Sequence, residues 1–325
     1  MPEEFELGSL QHAIGEARAG WSASLTSMLQ MEPEDRRIRL GANVDQTDLA
    51  ALREQPAPDV VQLASLAILD PAARERHDAV ELARRIITTT GELQDLTAKV
   101  VNTRIISAPL WWWQVDWRSR FGLDAVTPVR DQGPCGSCVA FGTIAALESM
   151  LIVERQITLE LSEAELLNCG GGSCGGWWPT SAVSYLASRG VAQANCFPYQ
   201  PMNMACNPCP RRDEEAIKIT ASTVTFDVAQ RKQYLAWVGP MTAVFAVYDD
   251  FFGYTGGVYT HVTGALAGYH CVEVIGYNDL GGYWICKNSW GTGWGEAGFF
   301  CIAYGQCEID STFPFWGVSG TEFWK

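Results

Sequence analysis

The chain has 325 residues, 37 of them acidic and 23 basic, for a formal charge of −14. Close to half of it is apolar and charged residues are sparse, the composition of a folded protein too long for one small core. The negative balance excludes nucleic acid or an anionic membrane surface as its main partner, and no run of about 18 apolar residues is present to span a bilayer.

In chain order, Met1 to Leu10 carry Glu3, Glu4 and Glu6 and lack a basic start followed by an apolar run, so no secretory signal is expected there. Residues 1 to about 107 read as helical and polar. Ala79 to Ile87 places its apolar side chains at helical spacing, while Gln55-Pro56-Ala57-Pro58 and Asp70-Pro71 cut the region into short helices. All eleven cysteines lie between Cys135 and Cys307. An odd number implies several disulfides and at least one free thiol, hence an oxidising compartment and a secreted or lysosome-like location.

From Pro109 the composition turns to Trp, Gly and Cys, beginning with Trp111-Trp112-Trp113 and Trp117. Val139 to Arg155 is apolar on most faces and predicts a buried helix. Beyond Thr220, the runs 242–247, 270–277, 283–287 and 299–304 are short, β-prone and separated by Gly. A helical half followed by a β half predicts an α+β fold of two lobes with a cleft between them.

Gln132-Gly133-Pro134-Cys135-Gly136-Ser137-Cys138 is a Gly-rich turn leading into that helix and sets Cys138 at its N-terminus. Unpaired amides and the helix dipole favour an anion there, and the thiolate is the nucleophilic form of cysteine. A base is needed. Of the four histidines, His12 and His77 fall in the N-terminal region, which leaves His261, in a loop-like stretch, and His270, at the start of a strand. Asn288, in Lys287-Asn288-Ser289-Trp290-Gly291, could accept from the far ring nitrogen of His270. Cys135-Gly-Ser-Cys138 also reads formally as a redox pair, and Cys206 and Cys209 with Cys135 and Cys138 as a zinc set. The redox reading does not account for His270 and Asn288.

Gln132 to Cys138, Gly268-Tyr269-His270 and Asn288 to Glu296 resemble the three signature blocks of papain and the cathepsins, with His and Asn in the window of about 130–150 residues beyond the cysteine. The resemblance runs from about Trp111 to Phe315. It implies a papain-like two-lobe fold: an α-rich lobe over 108–220 and a β-barrel-like lobe over 221–325, preceded by an inhibitory prosegment at 1–107. It implies Cys138 as nucleophile, His270 as its imidazolium partner, Asn288 as the group orienting His270, and Gln132 as an oxyanion donor. Gly176, Trp177, Trp290, Val244 and Asp310 are implied for substrate binding, with Trp290 also shielding the His270–Asn288 bond and Asp310 on the floor of a pocket. Implied disulfides are Cys135 with Cys174, and Cys169 with Cys206 or Cys209. Cys196, Cys271, Cys286, Cys301 and Cys307 remain unassigned.

Three positions depart from the family pattern: Val139 where an aromatic is usual, a Cys174-Gly175-Gly176 stretch one residue short, and Glu308 where glycine is usual. Val247 to Gly264 is similar to cathepsin B, as is the patch Trp21-Ser22-Ala23 with Leu40-Gly41. Cathepsin B carries paired histidines in an occluding loop, whereas Cys196 to Arg212 here has none. The expectation is therefore a monomeric endopeptidase acting on proteins or peptides, with its own prosegment as inhibitor and no cofactor or metal. A silent homologue that only binds peptides is the competing reading.

Overall fold

The computed structural model describes residues 7–56, 113–120 and 122–323. The helix expected at 79–87, the Pro-rich boundary at 70–71 and Trp111 with Trp112 lie outside these residues.

The N-terminal region holds α1 (Leu7–Glu16), β1 (Trp21–Ala23), α2 (Pro33–Arg37) and α3 (Gln46–Arg53). Each helix has a local cause. α1 buries Leu10 and Ile14 at i, i+4; α2 opens on proline at its first position; and the Asp45 carboxylate caps α3 by accepting from the amides of Thr47 and Asp48. β1 was not expected in a helical region. It pairs antiparallel with β5 (Tyr254–Tyr259), Trp21 facing Gly257.

After β2 (Gln114–Asp116) comes α4 (Cys138–Arg155), in which almost every residue is buried. It packs against β6 (Leu266–Asn278) and β9 (Phe315–Phe323). Its two buried acids are both engaged: Glu148 accepts from Thr127, Arg130 and the Leu161 amide, and Glu154 from the amides of Gly320 and Thr321. α5 (Glu163–Gly170), capped by Ser162, and α6 (Pro179–Ser188), opened by a proline, complete the larger helices before the sheet. α7 (Arg212–Glu215) is a single turn, and α8 (Val228–Trp237) is capped by Asp227. The disulfides Cys135–Cys174, Cys169–Cys206 and Cys196–Cys209 all sit on this α-rich side, while Cys138, Cys271, Cys286, Cys301 and Cys307 are unbridged.

β3 (Ile217–Thr225), β4 (Met241–Tyr248), β7 (Tyr283–Lys287) and β8 (Phe299–Ala303) complete a nine-stranded sheet in the order β1-β5-β8-β7-β6-β4-β9-β3, with β2 paired to β6. The β5–β8 pair is parallel and the others are antiparallel. The sheet is an open path and not the barrel-like closure expected. β1, from the N-terminal region, extends the sheet beyond β5 at one end, and the other end strand, β3, meets Val191 of the α-rich side at Ile217. β3 also runs through residue 220, so the expected division between lobes falls inside a strand.

Candidate active site

Cys138 is the first residue of α4, and its N-cap Ser137 makes no capping bond, because the Ser137 hydroxyl pairs with Tyr199 Oη at 2.7 Å. The turn before α4 is fastened from below. Cys135 is bridged to Cys174, and the Gly136 amide donates to the Cys174 carbonyl at 2.9 Å. A Cβ on Gly136 would lie 2.6 Å from that carbonyl oxygen, so the close approach needs glycine.

His270 lies within β6 and does not open it; in register it faces Phe245 of β4. Its Nε2 is 2.7 Å from Asn288 Oδ1, which also accepts from the Ser289 amide at 2.7 Å. The amide oxygen can only accept, so Nε2 carries the proton and Nδ1 is left for another partner. Trp290, 1% exposed, holds its ring 4.6 Å from the imidazole, and Phe251, Phe252 and Trp294 pack around it. The His270–Asn288 bond is therefore dry.

Gln132 is fully buried. Its Oε1 accepts from Ser289 Oγ at 2.7 Å, which turns Nε2 toward the carbonyls of Cys135 at 2.8 Å and Arg39 at 2.9 Å. Ser289 thus holds both Gln132 and Asn288, a role that nothing in its sequence position announced. Behind Asn288 lies a buried charge network equally silent in the sequence. Arg130 joins Glu148 and Glu163 at 2.8 and 2.6 Å, and Lys287 reaches Thr127 at 2.9 Å and Glu273 at 3.6 Å. Burial pushes Glu163 up to about 7, against the pull of Arg130.

Residues 39–43 cross this site. The Gly41 amide donates to Cys138 Sγ at 3.3 Å, and the Arg39 carbonyl takes the Gln132 amide. Ala42 donates to the Tyr269 carbonyl at 3.2 Å and pairs with Trp177 in a parallel bridge, with Trp177 N to Gly41 O at 2.7 Å and Asn43 N to Trp177 O at 2.8 Å. Arg39 is anchored to Asp131 at 2.6 Å. Under this cover both reactive groups are desolvated, which disfavours their charged forms. Burial pushes the Cys138 thiol up to about 11, although the Gly41 amide pulls it down. Burial pushes the His270 imidazole down to about 4, with Asn288 and the Arg39 backbone opposing and the Arg39 charge adding to the depression. Both shifts favour the neutral forms under the cover, against the thiolate–imidazolium pair expected of an active site.

The remaining expected residues fall out as follows. Trp177 supplies the backbone bonds expected of Gly176, whose own amide donates to Ser173 at 2.9 Å; Gly176 contributes space, since a Cβ there would meet the Asn43 side chain at 2.6 Å. Val244 is fully buried in β4, opposite Cys271. Asp310 has structural partners: it accepts from Trp284 Nε1 at 3.0 Å and from the Gly305 amide at 2.8 Å, one bond to each oxygen. His261 is held apart from the cysteine, stacked on Tyr248 at 3.8 Å and paired with the buried Asp250 at 3.1 Å.

Residues 113–315 match the papain family of cysteine proteases. Over 203 residues the chain is 34% identical to pro-cathepsin H of Mus musculus, covering 59% of this chain and 60% of that protein. It is 33% identical to a gut-specific cysteine proteinase of Caenorhabditis elegans over 217 residues, 56% of this chain and 66% of that one. The matches therefore span less than two thirds of the length of these relatives. In fold, the procathepsin B S9 structure from Trypanosoma congolense superimposes with a TM-score of 0.72 at 22% identity, over 97% of this chain and 98% of that one. With its cysteine, histidine and asparagine blocks inside the matched region, the chain belongs to the papain family of cysteine proteases.

Proposed function

We propose that the chain is the precursor of a cysteine endopeptidase, with residues 1 to about 107 as its prosegment and 108–325 as the peptidase. The observation that carries this reading is that residues 39–43 lie against the site: the Gly41 amide donates to Cys138 Sγ, the Arg39 carbonyl accepts from Gln132, and the Ala42 amide donates to the carbonyl of Tyr269, the neighbour of His270. Once they leave, water and substrate reach a thiol at a helix N-terminus beside an imidazole, and the charged pair is no longer penalised by burial. The Cys138 proton moves to His270 Nδ1, and the thiolate adds to the scissile carbonyl. The Gln132 side-chain amide and the Cys138 backbone N–H hold the oxyanion. His270 then protonates the departing amine, leaving a thioester that water hydrolyses with His270 as base. The Arg39 carbonyl, which takes the Gln132 amide in the precursor, stands where a peptide carbonyl would be polarised. Asn288 keeps the imidazole aimed throughout.

The endopeptidase reading is supported by residues 196–212. They contain no histidine, are stapled by Cys196–Cys209, and are tied down where the Asn203 side chain accepts from Cys174 and Asn168 accepts from the Met204 amide. Proteins or peptides are the substrates, and a reducing environment keeps Cys138 able to attack. Three disulfides fit a secreted or lysosome-like setting, and among the described residues no helix is long and apolar enough to cross a membrane. The test is intact mass after incubation of the chain and its Cys138→Ala variant at mildly acidic pH with a thiol reductant. Loss of about 105–112 N-terminal residues from the parent alone, with fluorogenic peptide hydrolysis after trimming, supports the reading. Absence of hydrolysis by the trimmed parent would leave a peptide-binding homologue.

A further inference from the structure

Three elements carry the reacting groups: α4 begins with Cys138, β6 holds His270, and β7 leads into Asn288. β6 and β7 are paired from Asn278 and Tyr283 as far as Glu273 and Lys287, and there the ladder ends. Past this rung the Asn288 amide donates to the Gly298 carbonyl at 2.9 Å, while β6 continues against β4 with His270 facing Phe245. The Glu273–Lys287 rung is therefore the last pairing of the two strands before the His270–Asn288 bond.

The helix of the nucleophile meets the same rung. Ser149 follows Cys138 by about three turns, so the two share a face of α4. Between them Gly142 lets the helix lie flush on β6: a Cβ there would stand 3.2 Å from Cys271 Sγ and from the Val272 carbonyl carbon. Ser149 Oγ donates to Glu273 Oε1 at 2.5 Å. Lys287 Nζ stands 3.6 Å from Glu273 Oε2 and donates to Thr127 Oγ1 at 2.9 Å. Glu273 is fully buried and Lys287 nearly so. Burial pushes the Glu273 carboxyl up, while Lys287 and Ser149 pull it down. One carboxylate on the strand of His270 is thus met by side chains from the helix of Cys138 and the strand that leads to Asn288.

We propose that Glu273 is a positioning residue for catalysis: through Ser149 and Lys287 it sets Cys138 against His270, and His270 against Asn288, without touching substrate. Apolar side chains of similar volume would hold the fold about as well as a buried ion pair. What the carboxylate adds is direction, because its contacts fix angle as well as distance. The proposal rests on the reading of Cys138, His270 and Asn288 as the reacting set of a peptidase, and adds to it a residue outside that set.

The experiment compares Glu273→Gln and Ser149→Ala with a control, Glu154→Gln, which alters a buried acid of α4 that binds the Gly320 and Thr321 amides and not the rung. Each is expressed as the full precursor and trimmed by an added protease. Glu273→Gln lowers kcat about ten- to a hundredfold with KM little changed, the scale of a misplacement of about 1 Å. Ser149→Ala shows a weaker form of the same loss. In both, the acid limb of the pH profile for Cys138 alkylation by iodoacetamide moves up by about one pH unit, because a misaligned imidazolium stabilises the thiolate less. Loss of a nearby negative charge alone would move it down. Glu154→Gln lowers the denaturation midpoint and moves neither reading. Parental kcat in Glu273→Gln, with an alkylation limb unmoved or shifted down, overturns the proposal, as does an equal loss of kcat in Glu154→Gln. Should Glu273→Gln fail to fold, Ser149→Ala, which leaves the ion pair in place, decides by the same two readings. A trimmed parent that hydrolyses nothing sinks the protease reading, while the alkylation profiles still decide whether Glu273 sets the geometry around Cys138.

Discussion

The Gly41 amide and Cys138 Sγ are 3.3 Å apart, so the nucleophile of the precursor is already an acceptor for the chain that covers it. Cover and chemistry meet at glycine. A Cβ at Gly41 would stand 1.8 Å from the Gly136 carbonyl oxygen, which the disulfide-held turn keeps from moving aside. Gly41→Ala should therefore loosen the cover without touching the peptidase. Overpacking of this kind costs about 1–3 kcal/mol, and Cys138 alkylation in the precursor should rise by about tenfold or more. Trimmed Gly41→Ala should be indistinguishable from trimmed parent.

The two buried titrating groups give the cover a pH window. His270 is depressed from 6.5 to about 4, so its neutral form favours the covered state above pH 6.5, and that contribution is lost as pH falls toward 4. Cys138 is raised from 9.0 to about 11, so its contribution is full below pH 9 and is lost as pH rises through 11. After correction for intrinsic thiol ionisation, accessibility of Cys138 in the precursor should be lowest between pH 6.5 and 9 and should rise on acidification. A flat corrected profile from pH 7 to 4 would contradict this.

The proposed oxyanion role of Gln132 and its bond to the Arg39 carbonyl make its removal diagnostic. In the trimmed enzyme Gln132→Ala should lower kcat about 10²–10³-fold with little change in KM, the usual effect of losing one oxyanion donor. In the precursor the same variant loses the bond to the Arg39 carbonyl and should label faster. Ser289→Ala should reproduce a weaker form of both effects, because Ser289 Oγ holds the Gln132 side chain at 2.7 Å.

Asp310 should behave as a structural residue. Replacing it by alanine strands the Trp284 indole and the Gly305 amide, at a cost of about 1–3 kcal/mol for buried donors left unpaired. Denaturant midpoints should fall accordingly, with the ratio of Arg to Leu cleavage preserved. A changed ratio at unchanged stability would return Asp310 to the substrate pocket.

Glu308 occupies a left-handed backbone conformation at φ +62°, next to Cys307 at φ +51°. Glu308→Gly should stabilise the peptidase by about 1 kcal/mol, by relieving a conformation that is costly for a residue with a Cβ. Chemical denaturation of the trimmed protein reads it directly. An unchanged or lower midpoint would mean that the Glu308 side chain offsets its own strain.

The parts of this fold visible in the sequence were those with a local cause. Apolar residues on most faces marked α4, and short β-prone runs between glycines located β4, β6, β7 and β8 within a few residues. β1 was invisible because three residues carry no period; pairing with β5, over 200 positions away, makes it a strand. Ring closure was wrongly expected for a similar reason. Strand pattern says nothing about what lies beside a sheet's last strand, and here β1 adds to β5 at one end and Val191 meets β3 at the other.

The sequence by itself singled out Cys138, His270, Asn288 and Gln132 as the candidate chemistry-bearing set, because a nucleophile, a base and their orienting groups need particular residue types in recognisable blocks. Only the tertiary structure decided how they are held and silenced: Ser289 bracing both amides, Asp310 committed to Trp284, and Gly41 lying on the sulfur. Those depend on which distant backbone segments come within about 3 Å, the reach of a hydrogen bond. Burial, which sets the charge state of Cys138 and His270, is a property of the packed chain and of no residue alone.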